Sequence, residues 1–281
     1  MNLDISADLH MHTTASDGRL TADQLFQEAK DKGLDIIAIT DHDTLGDVKG
    51  NIKRQKKYRM NYIPGIELST LYKNESVHIL GYFPIDKVPL KPFNAYAKEL
   101  KNRRIERMKA FLKNLKIHYA IDITYRAVEK KAAGMIARPH LAAAIHEKYP
   151  EWTKDALFEG PLGEQSKAYV PSGKLSTLEG IKFIKDHGGT AILAHPVLMS
   201  DRIHNEVLEL PFDGIETYYP LLDALFRTVY EAHAKDKGWL ITAGSDYHAI
   251  PNDSKHGDLG AERLKGQALL TFLKYLNQEV R

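Results

Sequence analysis

The 281-residue chain contains no cysteine. Thiolate metal sites, cysteine nucleophiles and disulfides are therefore excluded, and any metal is left to nitrogen and oxygen ligands. A dominant charge is missing too: 39 basic residues against 37 acidic ones give a formal +2, so no global field calls for a nucleic acid or membrane partner. No stretch approaches the roughly 20 apolar residues of a membrane span. The opening Met1-Asn2-Leu3-Asp4-Ile5-Ser6 lacks a basic region followed by an apolar run, so no secretory signal is expected and the expected location is cytoplasmic. No internal repeat, low-complexity tract or sign of an obligate protein partner stands out. What is present is a soluble globular composition, 43% hydrophobic and 27% charged, long enough for one large domain or a domain with a subdomain.

Short apolar runs alternate with helical periodicity along the chain. Strands are predicted at Ala7 to Thr13, Ile36 to Asp41, Tyr62 to Leu68, Val77 to Tyr82, Thr190 to His195, Gly214 to Tyr218 and Leu240 to Ser245. Amphipathic helices are predicted between them, including Thr21 to Lys32, Thr177 to His187 and Leu222 to Lys237, several ending in a glycine that suits a left-handed cap. Such alternation implies a parallel sheet, open or closed, and seven strand candidates favour a barrel.

One region breaks the rhythm. From about Pro89 to Tyr169 the patterns are helical, with Leu100, Ile105, Met108, Phe111, Leu112 and Leu115 on one face. Residues 1–88 and 170–281 are thus predicted to form the barrel, and 89–169 a helical insertion capping the site. Between Lys98 and Lys116 lie eight basic residues (Lys98, Lys101, Arg103, Arg104, Arg107, Lys109, Lys113, Lys116) against Glu99 and Glu106. This pattern fits a solvated helix face, or a basic lid that draws in a polyanion. Leu264 to Val280 is predicted as a closing helix.

The chemistry lies in the polar endings of the apolar runs. In a strand, residues i and i+2 share a face, so Asp8-Leu9-His10-Met11-His12 projects two imidazoles side by side. His42 follows Ile36-Ile37-Ala38-Ile39, His195 follows Ala191-Ile192-Leu193, and Asp246 and His248 follow Leu240-Ile241-Thr242-Ala243. Strand carboxyl ends form the site face of parallel α/β architectures. A lone histidine there is ordinarily a hydrogen-bonded structural residue. With Gly65-Ile66-Glu67 as a fifth, such endings carrying His, Asp or Glu read instead as a multi-metal hydrolase.

The segments Asp8-Leu9-His10-Met11-His12-Thr13, Ser16-Asp17-Gly18, Thr40-Asp41-His42-Asp43, Gly65-Ile66-Glu67-Leu68-Ser69, His78-Ile79-Leu80-Gly81-Tyr82, Ala194-His195-Pro196 and Gly244-Ser245-Asp246-Tyr247-His248 occur in that order. With them the chain resembles the PHP (polymerase and histidinol phosphatase) family of metal-dependent phosphoesterases. The insertion containing Ala137-Arg138-Pro139-His140 resembles the subgroup that removes phosphate from nucleotides and trims short RNA or DNA from the 5′ end. The resemblance implies an α/β fold, a distorted (β/α)7-type TIM-like barrel with a helical cap.

It also implies two or three divalent metal ions of the Mn, Fe or Zn kind. One would be held by His10, His12, Glu67 and Asp246, a second by Glu67, His78 and His195, and a third by Asp17, His42 and His248. Asp17 departs from the all-histidine third site of some relatives, which leaves that site's occupancy open. Metal-activated water would then attack a phosphoester.

Arg138 offers a planar fork for a phosphate, on a backbone expected to be extended because Pro139 follows. Many arginines merely decorate a surface, so that reading stands beside it. His140 is read either as a phosphate ligand or as a general acid. Asp41 and Asp43 are expected to support ligands or cap a helix. His118, His146, His187, His204, His233 and His256 are expected to be surface or structural. Tyr218, Tyr219 and Tyr247 either stack on a base or fill the rim. The expected substrate is a phosphorylated nucleotide, with nucleoside 3′,5′-bisphosphate foremost, or a short 5′-phosphorylated oligonucleotide. Histidinol phosphate hydrolysis and a non-catalytic nucleic-acid-binding or regulatory role stand as alternatives.

Overall fold

A computed structural model describes residues 5–132 and 136–278. The chain forms two compact units, Met1–Asn94 with Leu175–Arg281, and Ala95–Lys174. In chain order the first unit begins with β1 (Ser6–Asp8), α1 (Ala22–Asp31), β2 (Ile36–Ile39), α2 (Val48–Tyr58), β3 (Asn61–Tyr72) and β4 (Glu75–Tyr82). Helix α3 (Leu90–Tyr119) runs on into the second unit, which adds α4 (Tyr125–Glu129), α5 (Arg138–Lys148) and α6 (Lys154–Glu159). The first unit resumes with α7 (Thr177–Asp186), β5 (Thr190–Leu193), α8 (Asp201–Val207), β6 (Gly214–Tyr218), α9 (Ala224–Lys237), β7 (Leu240–Ala243), β8 (Leu264–Lys265) and α10 (Gly266–Tyr275).

The strand order is β7-β6-β5-β4-β3-β2-β1-β8. Past the end of β1, Leu9 N–H donates to Ala243 O at 3.1 Å, and a parallel bridge joins Met11 to Tyr247. These links bring the β1 and β7 segments together, so the sheet curls into a nearly closed, distorted TIM-like barrel. All seven predicted strands are present, though β1 is far shorter than Ala7 to Thr13. Strand β8 pairs antiparallel with β1 where the start of a helix was expected. The closing helix spans only Gly266–Tyr275, and Val280, its predicted end, lies outside the described residues.

The parallel expectation fails at one strand. Strand β4 runs antiparallel to both β3 and β5. The reason is local: Lys73 and Asn74 take φ of 47° and 69°, the left-handed pair that a two-residue hairpin needs. Strand β4 therefore meets the face formed by the carboxyl ends of the parallel strands with its amino-terminal half, and this brings His78 to the site.

Alternate residues of the strands face one core. Ala7, Leu9, Ile36, Ala38, Leu80, Tyr82, Ile192 and Ala194 cluster with Leu269, Phe272, Leu273 and Leu276 from α10 and the residue after it. Outside, α1 is started by a Thr21–Gln24 capping box and buries Leu25, Phe26 and Ala29. Helix α9 stops at Gly238, whose φ of 65° forms a left-handed cap.

The second unit has its own core, built from Met108, Phe111, Leu115, Val128, Leu141, Ile145, Leu157 and Leu162. No strand occurs there among the described residues. The first turn of α3 belongs to the barrel unit, because Phe93 packs on Phe83 and Phe183. Several basic side chains of α3 are exposed and paired, Lys109 with Glu106 at 2.8 Å and Lys116 with Asp122 at 3.0 Å, as a solvated face requires. Arg107 instead turns inward: its Nε donates to Val170 O at 2.8 Å. No helix among the described residues is long and apolar enough to cross a membrane.

Candidate metal centre

Glu67 is the hub of the barrel's polar face. It is buried, and its Oε2 lies 3.3 Å from His10 Nε2, 3.2 Å from His12 Nε2 and 3.1 Å from His42 Nδ1. Its Oε1 lies 2.7 Å from His78 Nδ1 and 2.9 Å from His195 Nε2. Asp246 Oδ1 approaches the same atoms of His10 and His12, at 3.3 and 3.1 Å. Asp17 is more exposed and faces the far side of the cluster, 3.3 Å from His248 Nε2 and 3.6 Å from His42 Nε2. All nine residues named as ligands from the sequence thus converge, although more than 200 positions separate His10 from Asp246.

Loop geometry makes the convergence. Asp41 accepts from Thr13 N–H and Thr13 Oγ1, both at 2.7 Å, and from Ser16 Oγ at 2.6 Å, which folds the loop carrying Asp17. In that loop a Cβ on Gly18 would lie 2.5 Å from the His12 carbonyl, so only glycine fits. Asp43 accepts from Ser69 N–H at 2.8 Å; the cap of α2 is Asp47. Asp43, His195 and Asp246 hold positive φ of 57°, 24° and 54°. Such strain costs roughly 1–3 kcal/mol per residue and gathers at functional sites.

Five of these ligand atoms are buried without a hydrogen-bond partner: His10 Nε2, His12 Nε2, His42 Nδ1, Glu67 Oε2 and Asp246 Oδ1. All five point at one another, 3.1–3.3 Å apart across the imidazole–carboxylate contacts. Cations among them would satisfy the whole set, and nitrogen and carboxylate donors are what borderline divalent ions accept. The donor groups fall into four overlapping sets: His10, His12, Glu67 and Asp246; His42, Glu67 and His78; His12, Asp17, His42 and His248; and Asp246, His248 and His256. The residues therefore fit divalent metal ions.

The electrostatics agree. Burial alone would lower the His10 pKa, but Asp246, Glu216 and Glu67 overcome it and hold it well above 6.5. Against the same penalty, Asp246 and Glu67 push His12 up to about 10. Burial drives His42 down to about 3, opposed by Glu67 and reinforced by His12 and His78. Burial also opposes ionisation of Glu67 and Asp246, yet the surrounding imidazoles keep both far below the ordinary carboxylate range. The buried carboxylates and imidazoles hold one another charged, so a cation that enters must displace imidazole protons.

Four supporting residues lie outside the ligand set that the sequence suggests. Glu216 lies inside β6 and Asp8 at the end of β1, both fully buried. Asp8 accepts from Ser245 N–H and Oγ at 3.0 and 2.6 Å and from Gly260 N–H at 2.9 Å, and burial pushes its carboxyl up to about 6 against those donors. Tyr219 is buried and donates to Asp246 Oδ2 at 3.0 Å, whereas Tyr218 and Tyr247 bond to Glu231 and Glu28. His256, expected at the surface or in a structural role, stacks on His248 with centroids 4.2 Å apart and holds Asp253 at 2.7 Å. The one signal for Glu216 and Asp8 was a carboxylate within or beside an otherwise apolar run.

In the second unit, Arg138 is the first residue of α5, not extended as its place before proline implied. Pro139 occupies the first turn, where no N–H is needed, and the extended residue is Ala137, with φ −143° and ψ 168°. The Arg138 guanidinium donates to Leu162 O at 3.3 Å and lies over Tyr169 at 5.7 Å, sharing that ring with Arg107 at 5.9 Å. His140 Nδ1 accepts from Ala137 N–H at 3.0 Å. His146, His187 and His233 bond to backbone carbonyls, and His204 to Tyr230.

An α/β barrel that gathers buried His, Asp and Glu from within its strands and just beyond their ends defines a class of candidate metal-centre barrels. Within it, residues 8–154 match the PHP domain. The chain is 30% identical over 257 residues to the 5′-3′ exoribonuclease Rnm of Escherichia coli (strain K12), covering 88% of this chain and 86% of that one. It is 27% identical over 251 residues to the phosphoribosyl 1,2-cyclic phosphate 1,2-diphosphodiesterase of Eggerthella lenta, covering 86% and 93%. It is 29% identical over 254 residues to the 3′,5′-nucleoside bisphosphate phosphatase of Chromobacterium violaceum, covering 86% and 87%. The chain belongs to the PHP family, as its motifs indicated.

Proposed function

We propose that this protein is a metal-dependent hydrolase of phosphate esters that acts on the terminal phosphate of nucleotides. Nucleoside 3′,5′-bisphosphate is the foremost substrate, and short 5′-phosphorylated oligonucleotides are a second. The observation that carries the reading is the set of five unpartnered buried ligand atoms around Glu67. In this reading His10, His12, Glu67 and Asp246 hold one cation, Glu67, His78 and His195 a second, and Asp17, His42 and His248 a third. Bound divalent ions, of the Mn, Fe or Zn kind, supply Lewis-acid activation of water and offset phosphoryl charge.

The remaining chemistry belongs to the chain. Glu67 offers one oxygen to each side of the cluster, which lets a single carboxylate serve two cations. Tyr219 holds Asp246 through its outer oxygen and leaves Oδ1 for the centre. Arg138 is assigned the second phosphate, a role its planar fork suits. Because His140 Nδ1 accepts a backbone N–H, its neutral ring carries the proton on Nε2, where it can donate to a phosphate oxygen.

The three relatives act on different phosphate esters at similar identity, so substrate choice is a matter for assay. The test is phosphate release from mononucleotides, 3′,5′-bisphosphates, 5′-phosphorylated oligomers, a ribosyl cyclic phosphate and histidinol phosphate. Fastest turnover of a bisphosphate or oligomer supports the proposal. Fastest turnover of histidinol phosphate or the cyclic ester overturns the substrate, and metal binding with no hydrolysis of any of them points to a non-catalytic module.

A further inference from the structure

Glu216 stands in the middle of β6 between Ile215 and Thr217, fully buried. A carboxylate placed there with no partner carries a heavy desolvation penalty. Both of its oxygens are engaged, and both by residues of the metal centre. Oε1 lies 3.0 Å from His10 Nδ1, and Oε2 accepts the backbone N–H of His195 at 2.8 Å. One side chain thus ties residues following β1 and β5 to the strand beside β5.

The surroundings are shaped for that carboxylate. A Cβ on Gly244, after β7, would lie 2.2 Å from His10 Cβ and 2.8 Å from Glu216 Oε1. Glycine there leaves room for the pair. His195 holds φ 24° and ψ 62°, a conformation a non-glycine residue keeps only when its surroundings over-determine it. The bond to Glu216 is one such restraint.

The chemistry follows from the acceptor. An ionised carboxylate only accepts hydrogen bonds, so His10 Nδ1 must carry the proton that this contact uses. Nε2, 3.3 Å from both Glu67 and Asp246, is then the nitrogen that gives up its proton when a cation binds. An imidazole binds a cation through a deprotonated nitrogen, and the hydrogen bond made by its other nitrogen decides which one that is.

We infer that Glu216 is a positioning residue that selects the cation-binding tautomer of His10 and pins the His195 backbone, and so sets cation affinity without touching the ion. The inference rests on the metal centre proposed above but not on any substrate. It is tested with Zn2+ as the probe, by calorimetric titration of the metal-stripped full-length protein and its Glu216→Gln variant. The variant is isosteric, but its amide N–H2 must face either His10 or His195. The expected result is a loss of Zn2+ affinity of roughly 10- to 100-fold, with the thermal melt of the metal-free protein unchanged. Unchanged affinity overturns the inference, as does a lowered melt with full affinity in the folded fraction. A wild-type protein that binds no Zn2+ sinks the metal centre as well.

A second measurement needs no variant. In the Zn2+-loaded wild type, 15N NMR of His10 is expected to show a protonated Nδ1 and a metal-bound Nε2. The opposite tautomer overturns the role assigned to Glu216.

Discussion

His42 and Glu67 are joined twice, by a parallel backbone bridge and by a side-chain approach of 3.1 Å between Nδ1 and Oε2. Flanking bonds from Asp43 N–H to Glu67 O at 2.9 Å and from Glu67 N–H to Asp41 O at 3.2 Å extend the pairing beyond the end of β2. Backbone register, rather than a flexible side chain, therefore places the hub against its ligands.

Glu67→Gln tests that hub while conserving volume. It leaves the register intact but removes the charge that five imidazoles face. Phosphate release is expected to fall at least about 100-fold, beyond the usual cost of disturbing an outer partner. A cooperative thermal melt should persist. Activity within tenfold of wild type would remove Glu67 from the centre.

Metal removal should be visible in stability. A ligand at 100 times its Kd stabilises the folded state by about 2.7 kcal/mol. For a domain of this size that corresponds to roughly 5–10 °C in Tm. Chelation should lower the melt by that amount, and Mn2+ or Zn2+ should restore it, while Mg2+ at equal concentration restores less. A melt indifferent to chelator and metal would contradict a buried multi-cation site.

Proton release gives a pH-dependent check. His12 is pushed up to about 10 in the cation-free protein, so at pH 7 it keeps its proton, and a cation must displace it. Calorimetry of Zn2+ binding in buffers of different ionisation enthalpy should report release of protons at pH 7, fading as the pH approaches 10. Binding with no proton release at pH 7 would show that His12 is not displaced by the ion.

Arg138→Ala addresses the second phosphate. The loss of a charged hydrogen bond is worth roughly 1.5–3 kcal/mol. Efficiency on a nucleoside 3′,5′-bisphosphate should drop by that amount, and efficiency on the matching 5′-monophosphate should change little. An equal fall on both substrates would mean that Arg138 does not grip a second phosphate.

Much of this arrangement was legible in the chain, and what was not has physical causes. The seven main strands follow from apolar runs, and the side chains that cluster around Glu67 from the polar residues within and after them. Strand direction is invisible to periodicity, so β4 was read as parallel until Lys73 and Asn74 turned it back. His78 consequently lies inside β4, not beyond its end. Glu216 occupies a strand position where a polar residue ordinarily faces solvent, and only the closed sheet shows it inside. Arg138 was expected to be extended because proline follows it, yet Pro139 at a helix start shifts the extended residue to Ala137.

The most direct test of the central claim is anomalous X-ray scattering from crystals grown with Zn2+ or Mn2+. Peaks are expected between Glu67 and its imidazoles, about 2.0–2.3 Å from the Nε2 atoms of His10 and His12. A fully soaked crystal whose map shows no peak there, with Glu67 still bonded directly to the histidines, would contradict the account.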